Sequence, residues 1–113
     1  MEINYHDKIF NPVSNSENGE VDLTMHFHYK QEGNIVTSSY SGGRIRQGHL
    51  IALVGENGIL NMRYHQVNVQ GEIMTGICIS TPEIMPNGKI RLHEKWQWTA
   101  GDFSEGTSVL EEQ

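Results

Sequence analysis

The chain is poor in the residues that would give it a quick identity. Cys78 is its one cysteine, so an intramolecular disulfide is excluded, which suits a reducing compartment. Only eight of its 113 residues are Lys or Arg, and the formal charge is −6. Phosphate backbones and anionic membrane surfaces call for clustered cations, so neither nucleic acid nor membrane is expected as a partner. The longest uninterrupted apolar run, Leu50 to Val54, is far too short to span a bilayer. Met1 to Asp7 has neither a basic start nor an apolar core, so no signal peptide is expected and the cytoplasm is the expected location. Long stretches free of Gly and Pro are missing as well. The longest, Glu20 to Glu32, has the period of a strand, which leaves little room for helix.

What is present is alternation. Val21, Leu23, Met25, Phe27 and Tyr29 interleave with Asp22, Thr24, His26, His28 and Lys30, the two-residue period of a half-buried strand. Turn glycines recur at Gly19, Gly33, Gly42-Gly43, Gly58, Gly71, Gly88 and Gly101, a beat of one hairpin arm plus one turn. Eight strands are predicted: Lys8 to Val13, Glu20 to Gln31, Ile35 to Ser41, Arg44 to Val54, Ile59 to Val69, Glu72 to Thr81, Lys89 to Thr99, and Thr107 to Leu110. Gly48 reads as a bulge or bend, Pro82 to Gly88 as the longest interior loop, and Glu111 to Gln113 as a frayed end. Short connections pair consecutive strands, and a meander of about eight leaves two reactive edges unless it closes. The expected fold is therefore all-β: one domain over residues 1–113, an antiparallel meander closed or nearly closed into a small barrel, as in lipocalin- and avidin-like barrels.

The inward faces carry polar groups that an oily core would reject. Ile90, Leu92, Glu94, Trp96 and Trp98 share one face of the seventh predicted strand, which places a carboxylate beside two indoles. Leu60, Met62, Tyr64, Gln66 and Asn68 share a face of the fifth, which ends in two amides. Such groups are costly to bury unless hydrogen-bonded. One reading is a site for a small polar or aromatic ligand, built from Tyr40, Tyr64, Gln66, Asn68, Glu94, Trp96 and Trp98. The other is a filled, structural barrel, with Glu94 paired to an Arg, a Tyr hydroxyl or an amide, and an outer patch that leaves a homodimer open.

Metal and enzyme chemistry are weaker readings. His26 and His28 lie two apart on a strand, a usable ligand spacing, but on the outer face, as do His65 and His93, so no metal site is expected. Cys78 sits between Ile77 and Ile79 and reads as a small buried hydrophobe. No nucleophile triad, P-loop or HExxH motif occurs, and neither a cofactor nor a catalytic residue is expected.

Several blocks together resemble a known family. They are Pro12 to Gly19, Tyr40 to Gly43 with Gly48 to Ile51, Tyr64 to Asn68, Gly76 to Glu83, and Leu92 to Trp98 with Gly101-Asp102. The chain resembles a family of short bacterial one-domain proteins that often carry the name N-acetylglutamate synthase. The resemblance implies no catalytic residues. Acetyl transfer of the usual kind also needs a glycine-bearing loop opening a helix to hold the pyrophosphate, and no such unit is predicted.

Overall fold

The computed structural model describes residues 3–113. It contains nine strands: β1 (Ile9–Asn15), β2 (Phe27–His28), β3 (Lys30–Glu32), β4 (Ile35–Gly42), β5 (Ile45–Val54), β6 (Leu60–Asn68), β7 (Ile73–Ile84), β8 (Ile90–Trp98) and β9 (Glu105–Glu112). They form one antiparallel sheet in the order β2-β1-β9-β8-β7-β6-β5-β4-β3. Among the described residues the one helical element is a single 3-10 turn, Glu56–Gly58. There the left-handed backbone of Asn57 and Gly58 (φ 58° and 76°) suits an Asn-Gly pair.

Closure comes from one chain segment with two partners. Its first half, β2, pairs with β1, and its second half, β3, pairs with β4. Tyr29 joins the halves, donating its N–H to Lys8 O and accepting from Asp7 N, both at 2.9 Å. The two sheet ends thus meet in one interrupted strand, and the nearly closed barrel presents little unpaired edge.

The long strands match expectation because one face of each is buried. The second predicted strand does not: its first half, residues 20–25, is no strand at all. The Asp22 carboxylate accepts from the Thr24 backbone N–H at 2.7 Å and from the Thr24 hydroxyl, and Met25 N–H bonds Asp22 O. This side-chain-to-backbone turn outcompetes the ladder, and Leu23 is left 58% exposed. Two other expectations are corrected at chain turns. β7 runs through Pro82 to Ile84, because β8 continues the pairing as far as Ile84↔Ile90. The final acidic residues are held in β9, where Glu111 pairs with Arg91 and Glu112 accepts from Ile90 N–H and Lys8.

Both barrel ends are covered. Tyr5, Phe10 and Tyr29 pack together near one end, with ring centroids 4.8–6.2 Å apart, and the Tyr5 hydroxyl donates to Gly58 O at 2.6 Å. Residues 16–25, between β1 and β2, fold over the other. The core between them includes Val36, Leu50, Leu60, Met62, Leu92 and Leu110.

Candidate ligand-binding cavity

Aromatic side chains and glycines face each other across the barrel wall. Tyr40 pairs with Gly48, Tyr64 with Gly76, and Trp96 with Gly106. In each case a Cβ on the glycine would run into the ring. These glycines let the rings lie down along the inner wall, and Gly48, expected as a bulge or bend, serves this purpose; the nearby register shift falls between Ile45 and Gln47. The rings surround an internal cavity of about 60 Å³, along with Phe27, Tyr29, Leu50 and Met62. Trp98 stacks edge-on with Tyr64 at 5.7 Å, and its indole N–H donates to Asn18 O at 3.1 Å.

At the rim, the two inward amides share one carboxylate. Gln66 Nε2 donates to Glu20 Oε1 at 2.9 Å, and Asn68 Nδ2 to Glu20 Oε2 at 2.8 Å. Gln66 Oε1 accepts from the Tyr40 hydroxyl at 2.9 Å, and Asn68 also reaches Glu72. Glu20 therefore fastens residues 16–25 to the barrel.

Deeper in, the register builds a polar belt. Ser80 pairs with Glu94, Glu94 with Ser108, and Ser108 with Asn15, across β7, β8, β9 and β1. Ser108 Oγ donates to Glu94 Oε1 at 3.0 Å. The Ser80 hydroxyl lies close enough to favour the carboxylate anion but makes no well-formed hydrogen bond. Glu94 is half-buried, and it lines the cavity. Burial pushes its carboxyl up to about 7, and the two serine hydroxyls only partly offset this. Three buried side-chain polar atoms find no partner among the described residues: Asn15 Oδ1, Tyr29 Oη and Ser80 Oγ. Asn15 and Tyr29 also line the cavity.

A family model described as "Avidin-like protein" matches residues 3–113. The chain belongs to the avidin-like family. Neither a search of curated proteins nor one of solved structures gives a match, so no relative's name supports the synthase label that the sequence resemblance carried.

The avidin-like barrel gathers most of the sequence-predicted residues. Tyr40, Tyr64, Gln66, Glu94, Trp96 and Trp98 all line the cavity, whereas Asn68 is buried at the rim, held by Glu20 and Glu72. The partner of Glu94 is a serine, not the Arg, Tyr or amide expected. Asn15, Glu20, Tyr29, Ser80 and Ser108 were missed. Two buried amides demand an acceptor, a signal that could have pointed to Glu20. Asn15 lies just past the first predicted strand, in a polar stretch without a strand pattern, and lone serines on apolar faces give no signal.

Outside the avidin-like cavity the histidines have surface partners. His93 pairs with Glu83 at 2.7 Å and His28 with Asp7 at 3.1 Å. Among the described residues no group of three or more His, Cys, Asp or Glu is placed to hold a metal ion. Cys78 is free and buried, and burial pushes its thiol up, away from the thiolate that nucleophilic chemistry needs.

Proposed function

We propose that the barrel is a binding module that holds a small polar molecule with a flat or apolar portion in its interior. The observation that carries this reading is the cavity: aromatic walls, and lining residues Asn15 and Tyr29 with buried polar atoms that find no partner among the described residues. A purely structural network would satisfy its own buried groups. The cavity is well below the size typical of drug-like ligands, so the ligand is small, or residues 16–25 move aside to admit more of it.

The test is a panel of small polar compounds that includes acyl-CoA and glutamate derivatives, cyclic ureas and lactams, with biotin among them for its ureido ring. A ligand beside Trp96 or Trp98 should change tryptophan emission and raise the melting temperature. No effect from any compound would end the binding reading.

A structural, self-associating role has one observation of its own. Ile51, Leu53, Ile77 and Ile79 stand exposed on the outer faces of β5 and β7, on either side of Asn61 and Arg63 of β6, a mixed apolar and polar surface that a second copy could cover. Sedimentation showing a monomer at all accessible concentrations would remove it.

A further inference from the structure

The cavity wall carries ionisable carboxyl groups and no cation to balance them. Glu94 and Glu20 are the two ionisable carboxyl groups on the cavity wall, and none of the eight Lys and Arg residues lines it. The cations lie outside: Lys30, Arg44, Arg46, Arg63, Lys89 and Lys95 are exposed, and Lys8 and Arg91 pair with Glu112 and Glu111. Glu20 is neutralised in part by two amide donors. Glu94 has one serine donor on Oε1, and among the described residues nothing donates to Oε2.

We propose that the cavity takes a small organic cation, a primary alkylammonium with a short apolar body, with its ammonium group at Glu94 and its body against the indoles. This rests on the binding role proposed above and specifies its ligand. The donor count supports it: an ammonium carries three N–H donors and no acceptor. Glu94, Asn15 and Tyr29 all line the cavity, and Glu94 Oε2, Asn15 Oδ1 and Tyr29 Oη find no donor among the described residues; Tyr29 is fully buried. The aromatic wall adds to this, since a cation within about 6 Å of an indole or phenol face is attracted by the ring quadrupole. A neutral ligand would leave the carboxylate unpaired, and an anionic one would be repelled by it.

The experiment compares butylammonium with butanol, its uncharged counterpart of similar shape, and with a cyclic urea, at mildly alkaline pH where Glu94 is ionised. Affinity is read by tryptophan emission and melting temperature on the full chain. Butylammonium should bind roughly tenfold or more tighter than butanol, and Glu94→Gln should abolish that preference while Glu32→Gln, on the exposed surface, keeps it. Butanol or the urea binding as well as the ammonium would overturn the inference and leave the binding role standing. A preference that survives Glu94→Gln would overturn it too. If none of the three binds, the inference falls, and the wider panel decides the binding role. Should Glu94→Gln not fold, the ratio of ammonium to alcohol on the unmodified protein decides alone.

Discussion

Glu94 sets the electrostatic character of the interior, because no cation faces it from β1, β7, β9 or the covering segment. Its carboxyl is raised from an ordinary 4.5 to about 7, so the folded protein binds a proton there that the unfolded chain has released. The folded state then gains proton-linked stability that is fully present below about 4.5 and lost as pH rises through about 7. Urea unfolding should show stability falling by on the order of 3 kcal/mol across that window. Glu94→Gln, which keeps an acceptor for Ser108 and cannot ionise, should flatten the curve and be more stable than the parent above the window. An unchanged slope in the variant would place the titrating group elsewhere. The carboxyls of Asp7, Asp22, Glu83 and Asp102, held below their usual range mainly by hydrogen-bonding partners, act at lower pH. Gly76 is a second residue-scale test. A methyl there would strike the Tyr64 ring, so Gly76→Ala should destabilise by about 1–3 kcal/mol in denaturant unfolding. A neutral result would mean that Tyr64 has room to move.

At the scale of elements, strands were legible in the sequence where burial enforces the period of two. β5, β6 and β8 lie within a residue or two of the predicted spans because Leu50, Met62 and Leu92 must all point inward. The same pattern misled at Val21 and Leu23, where an Asp22 turn decides the backbone and alternation is incidental. The cavity was half legible. Its aromatic and long polar members, Trp96, Tyr64 and Glu94, stand out on apolar faces. The belt of Ser80, Ser108 and Asn15 depends on cross-strand register, which the sequence does not show. The covering segment, residues 16–25, gives the prediction at this scale. Glu20→Ala would strand the Gln66 and Asn68 donors, so a loss of about 1–3 kcal/mol is expected. Hydrogen exchange should quicken in residues 16–25 more than in β6 and β8. Uniform quickening across the barrel would show that Glu20 supports the fold as a whole and not the cover.

At the scale of the molecule, a nearly closed barrel with both ends covered can serve as a container, and its two tryptophans sit in the container wall. That makes the central claim open to one direct measurement. Two indole N–H signals are expected in a nitrogen-proton correlation spectrum, and the Trp98 group donates to Asn18 of the cover. On titration with butylammonium and the neutral panel, at least one compound should shift both indole signals in a saturable way. The amides of Ile51 and Leu53, on the outer face, should stay in place. Shifts confined to the outer face, or indole signals unmoved by every compound, would contradict interior binding.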